Sequence, residues 1–93
     1  MAVVLLTIEL HVPFARSLKD KRMVLRSFKD RIAKFNVSVA EIEHHDLWQR
    51  ATLGLVTIAT DGAHAERELQ AVVAELERVE PGLITRTEIE HLA

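Results

Sequence analysis

Residues 37–60 read VSVAEIEHHDLWQRATLGLVTIAT, two extended runs separated by a polar turn. Val37–Glu43 reads as one strand. His44-His-Asp-Leu-Trp-Gln-Arg50 is the turn, and Ala51–Thr60, rich in β-branched residues and interrupted by Gly54, is the next strand. Together they form a hairpin in the middle of the chain, and what lies on either side of it sets the topology.

Upstream, Val3–Val12 alternates Val4, Leu6, Ile8, Leu10 and Val12 with Val3, Leu5, Thr7, Glu9 and His11, a period of two that sends one set into a core. Pro13 ends this strand. Ser17 is a natural N-cap with Asp20 in the first turn, and Val24, Leu25, Phe28, Ile32 and Phe35 recur at helical spacing up to Asn36, the predicted left-handed stop. Downstream, Asp61-Gly62 punctuates before Ala65, Leu69, Val72, Val73, Leu76 and Val79, which mark a second amphipathic helix closed by Pro81-Gly82. Leu83–His91 is the last strand; its faces are ambiguous because Thr85, Arg86, Thr87 and Glu88 are all polar. The order strand, helix, strand, strand, helix, strand is the split βαβ arrangement called ferredoxin-like. The expectation is an α+β sandwich, a four-stranded antiparallel sheet with two helices on one face, in a single domain spanning residues 1–93.

At 93 residues with 48% apolar side chains, the chain supports one modest core and is too hydrophobic for disorder. Cysteine is absent, which removes disulfides, thiolate catalysis and Cys-based zinc sites and favours a cytosolic home. The apolar run Ala2–Leu6 is too short for a membrane span and lacks a secretory pattern. A soluble, cytoplasmic protein with no membrane partner and no cofactor is expected.

Charge is distributed unevenly. Arg16, Lys19, Lys21, Arg22, Arg26, Lys29, Arg31 and Lys34 face only Asp20 and Asp30 within residues 16–34, so this segment carries +6 and the remainder −8, for a chain total of −2. A small protein polarised in this way is suited to an anionic partner. In the expected topology the first strand's end, the first helix's start and the hairpin turn share one edge, which collects His11, Arg16, Lys19, Arg22, His44, His45, Trp48 and Arg50.

Ser17-Leu-Lys-Asp-Lys-Arg22, Arg26-Ser27, Phe35-Asn-Val-Ser-Val-Ala-Glu41 and Asp46-Leu-Trp-Gln-Arg-Ala51 together resemble the signature of the YlxP-like family of uncharacterised bacterial proteins, and the resemblance covers essentially the whole chain. It implies a ferredoxin-like fold and no established enzymatic activity. Members of that family are often encoded near translation initiation factor two and ribosome-binding factor A, which implies a role around RNA or ribosomes. The family has no assigned catalytic residues to carry over.

On a helical wheel Lys19, Arg22, Arg26 and Lys29 form one stripe beside the apolar face, a spacing that lets several cations meet one phosphate backbone. The alternative is a solvated surface whose Lys and Arg stems cover apolar neighbours. Trp48, the only tryptophan, either stacks on a base or partner, or locks the turn onto the helix. Sheet-face stacking of the RNA-recognition-motif kind is not expected, because the two strands that would carry it lack aromatic residues. His44, His45 and Asp46 hold metal-ligating groups, but adjacent histidines on an extended segment point apart, so no metal site is assigned. Glu9, Glu41, Glu43, Glu88 and Glu90 read as the polar sides of strands. Acylphosphatases share the fold, with an arginine in a glycine-rich turn and a later asparagine that positions water. This chain has Arg16 but no glycine before Gly54 and no asparagine after Asn36.

The expectation is therefore a non-catalytic accessory factor that binds RNA or a ribosomal component through Arg16, Ser17, Lys19, Arg22, Arg26, Lys29, Trp48 and Arg50. A second class of function rests on the sheet. Val3, Leu5, Leu53 and Leu55 are expected to point away from the helices, and such an apolar face suits a homodimer or an ACT-like interaction or small-ligand module.

Overall fold

The computed structural model describes all 93 residues. It contains β1 (Ala2–His11), α1 (Leu18–Ile32), β2 (Ser38–Glu43), β3 (Arg50–Ala59), α2 (Gly62–Val79) and β4 (Ile84–His91), with the strands ordered β2-β3-β1-β4 in one antiparallel sheet. This is the ferredoxin-like βαββαβ arrangement. No helix is long and apolar enough to cross a membrane.

The two helices begin as their caps dictate. Ser17 Oγ accepts the Asp20 N–H at 3.1 Å and Asp61 Oδ1 accepts the His64 N–H at 2.8 Å. Val24, Leu25, Phe28 and Ile32 of α1 and Ala65, Leu69, Val72 and Leu76 of α2 pack on Val4, Leu6, Ile8 and Leu10 of β1 and Ala51, Leu53 and Leu55 of β3. The helices are also joined by ions. Glu75 accepts hydrogen bonds from Arg78 at 2.8 and 3.1 Å and pairs with Arg31 at 3.7 Å, and the Arg78 hydrogen bonds hold its carboxyl below the ordinary range.

Two expectations from sequence are corrected. Leu53 and Leu55 do not face outward; both are fully buried beneath the helices. Directly opposed residues of antiparallel strands share a face, and Leu53 opposes Ile8 while Leu55 opposes Leu6, both core residues. The outer face of β3 is instead Thr52, Gly54, Val56 and Ile58, beside Val3 and Leu5 of β1, which do lie there half-buried. Asn36 is not a left-handed stop either. α1 ends at Ile32 with Ala33 in right-handed helical geometry, Phe35 lies beyond the helix, and Asn36 bridges instead: its amide donates to the Ile58 carbonyl at 3.0 Å, its N–H donates to Glu68 at 2.9 Å, and its carbonyl accepts the Thr57 hydroxyl at 2.6 Å. The only non-glycine residue at positive φ is His44, at 64°.

Candidate nucleic-acid interface

One buried cation builds the end of the molecule where β1 stops, α1 starts and β2 turns into β3. Lys21 is 1% exposed, and its ammonium donates to Glu41 Oε2 at 3.0 Å and to the carbonyls of His44 at 2.8 Å, His45 at 3.3 Å and Arg50 at 3.3 Å. The four oxygens come from the end of β2, the turn and the first residue of β3, so one side chain of α1 fixes both strand ends and the loop between them. The left-handed backbone at His44 is unfavourable by about 1–2 kcal/mol for a residue with a Cβ, and the short bond from Lys21 to its carbonyl offsets that cost.

A second set of bonds ties the same loop to the β1–α1 connection. Gln49 Nε2 donates to the carbonyls of Pro13 at 3.0 Å and Ala15 at 3.2 Å, while the Val12 N–H donates to the Gln49 carbonyl at 2.9 Å. These contacts leave Phe14, between the two carbonyls that Gln49 holds, and Leu47 and Trp48, just before Gln49, open to solvent; Trp48 is 52% exposed and Phe14 55%. His11, Asp46, Leu47, Trp48, Gln49 and Arg50 line a shallow depression of about 440 Å³. About half of Trp48 is therefore open to solvent.

The basic segment divides into engaged and free cations. Lys21 is buried in its oxygen cage and Arg31 pairs with Glu75, whereas Arg16, Lys19, Arg22, Arg26, Lys29 and Lys34 are exposed and form no ion pair. Lys19, Arg22, Arg26 and Lys29 keep their common stripe, which starts in the first turn of α1 and runs about 15 Å along it at helical rise. The structure thus brings Trp48, Arg50, His11 and the Arg16 segment to one end and leaves Arg26 and Lys29 as a track leading away from it; Arg26 lines a separate shallow depression with Met23, Ser27, Asp30 and Arg31. Ser17 is occupied as the helix cap, and the Arg16 N–H is taken by Asp20 Oδ2 at 2.9 Å, so this helix start is satisfied from within.

Lys21, Gln49 and Phe14 were not singled out from sequence. Lys21 had a signal: it precedes Leu25, Phe28 and Ile32 by four, seven and eleven residues, which places it in the buried row of the helix. Glu41, expected on a polar strand side, points toward the helices because it opposes the buried Leu53, and there it meets Lys21. His44 and His45 diverge, His45 Nε2 lying 3.0 Å from the Glu41 carbonyl and His44 Nε2 lying 3.8 Å from Glu43, and no cluster of three metal-ligating side chains is formed.

Comparison with known proteins places this geometry in a family. The uncharacterized protein YlxP of Bacillus subtilis (strain 168) is 43% identical over 81 residues, which are 80% of this chain and 84% of that protein. Among solved structures, the de novo designed protein Foldit4 superposes with a TM-score of 0.55 at 12% identity, covering 99% of this chain and 96% of the design, a likeness of fold alone. A dimeric ferredoxin-like protein from an uncultured marine organism gives a TM-score of 0.46 at 6% identity over 98% of this chain and 86% of its own. The family model described as protein of unknown function (DUF503) matches residues 3–89, and with that span and the Bacillus relative the chain belongs to the DUF503, YlxP-like family.

Proposed function

We propose that the protein is a non-catalytic, cytoplasmic accessory factor that binds unpaired RNA, alone or within a ribosomal particle, at the loop end carrying Phe14, Trp48 and Arg50, with the α1 stripe contacting the phosphate backbone. The observation that carries this reading is the combination of a half-exposed indole on a loop fixed by Lys21 and Gln49 with cations that have no acidic partner. Stacking on an aromatic side chain tolerates any base, and free Lys and Arg groups supply the salt-dependent attraction. A fixed loop also lowers the ordering cost of binding.

The test is binding of a twelve-nucleotide single-stranded oligoribonucleotide and of the matching duplex across a range of salt. The single strand should bind more tightly, with log affinity falling against log salt at roughly 0.7 per phosphate contacted. Absence of binding to both RNAs at low salt would remove this reading.

A second reading follows from the outer sheet face, where Ile58 is 56% and Ile42 45% exposed beside Val3, Leu5 and Val56. An exposed apolar patch of this kind, bordered by Thr7, Glu88 and Glu90, supports self-association or a regulatory interaction module.

A further inference from the structure

We propose that the depression beside Trp48 is a guanine-selective base site; this rests on the RNA-binding reading above and names the base that the same site takes. The starting point is Asp46. A surface built only to hold phosphates gains nothing from a carboxylate, which repels them, yet Asp46 lines the depression with Trp48, Arg50 and His11. Its carboxylate forms no ion pair and no hydrogen bond, so it is neither neutralised by Arg50 nor consumed in shaping the turn.

The other lining groups separate into engaged and free. The Gln49 amide nitrogen is committed to the carbonyls of Pro13 and Ala15, and of Arg50 the backbone carbonyl is held by Lys21. The lining side chains left without a hydrogen-bond partner thus include one carboxylate, one guanidinium, one imidazole and an indole, beside the apolar Leu47. The depression is open and shallow, which suits one base laid against it and not an enclosed ligand. A carboxylate accepts most strongly from two adjacent donors, and among the four bases only guanine presents a pair on one edge, N1–H and the N2 amine. Its opposite edge carries O6 and N7, the acceptor pair that an arginine fork matches. Adenine, cytosine and uracil each offer a carboxylate one ring or amine donor position beside an acceptor, which it repels. Trp48 supplies the stacking surface and Asp46 the choice of base.

The experiment uses the full chain and uridine-rich single-stranded octamers that differ at one central position, guanosine, inosine, adenosine or uridine. The guanosine octamer should bind roughly tenfold more tightly than the uridine one, with inosine, which lacks the N2 amine, falling between. Asp46→Asn should reverse the sign of the effect by oligonucleotide. Affinity for the guanosine octamer falls, while affinity for the uridine octamer stays or rises because a repulsive charge has gone. Asp46 is exposed and unpartnered, so this variant keeps its fold, checked by its unfolding midpoint. Equal affinity for all four octamers in the unsubstituted protein would overturn guanine selectivity while leaving RNA binding intact. A guanosine preference that persists unchanged in Asp46→Asn would overturn the role of Asp46. Failure to bind any octamer would remove both the base site and the reading beneath it.

Discussion

At the scale of single residues, two side chains have opposite roles at one loop. Lys21 is buried and fixes the loop; Trp48 is exposed on it. Lys21→Met leaves three carbonyls and the Glu41 carboxylate without their common donor, and removal of one partner from a buried pair is destabilising by roughly 3–5 kcal/mol. The unfolding midpoint should fall accordingly. Because Trp48 is the only tryptophan, its fluorescence anisotropy should fall too in the folded protein, reporting a loosened loop. An unchanged anisotropy would mean that the Gln49 bonds alone fix the loop. Trp48→Ala should leave the midpoint nearly unchanged, since about half of the residue is already in water, yet weaken RNA binding by about 1–3 kcal/mol; a large loss of stability with affinity intact would make the ring a packing residue. Trp48 and Arg50 stand out as candidates in the sequence because a lone indole and a cation in a polar turn are visible locally, and both line the depression at the loop end. Gln49 and Phe14 do not, because their significance arises from bonds across more than thirty residues.

At the scale of elements, helical and strand periods were read reliably where only one face is apolar. α2 carries such a pattern, and in β1 the polar Thr7, Glu9 and His11 mark the outer set although Val3 and Leu5 share it, so in both elements the core residues are those that sequence spacing selects. β3 is apolar on both faces, Leu53 and Leu55 on one and Val56 and Ile58 on the other, so its parity is set by pairing with β1 and not by its own pattern. α1 divides into paired cations, Lys21 and Arg31, and unpaired ones. Replacing both Arg22 and Arg26 with glutamine should weaken RNA binding for every sequence and flatten its dependence on salt, because each lost phosphate contact removes released counterions. Arg31→Gln, which removes the pair with Glu75 at 3.7 Å, should leave that slope unchanged. Equal salt slopes for the Arg22/Arg26 double variant and the unsubstituted protein would return the stripe to a solvated surface.

At the scale of the whole molecule, a net charge of −2 conceals a positive helix on a negative remainder, and the helix-free sheet face stays open. If that face joins two copies, Ile58→Glu should yield folded monomers in light scattering, whereas Leu55→Glu, placing a carboxylate in the core, should unfold the protein. A monomer at high concentration in the unsubstituted protein would count against self-association. RNA binding at the loop end is tested most directly by the emission of Trp48 during titration with a single-stranded oligoribonucleotide. Stacking predicts a saturable change in that emission, reversed by added salt and with the same midpoint as binding measured on labelled RNA. Binding of labelled RNA with no change in Trp48 emission, or no binding at all, would contradict the placement of the site.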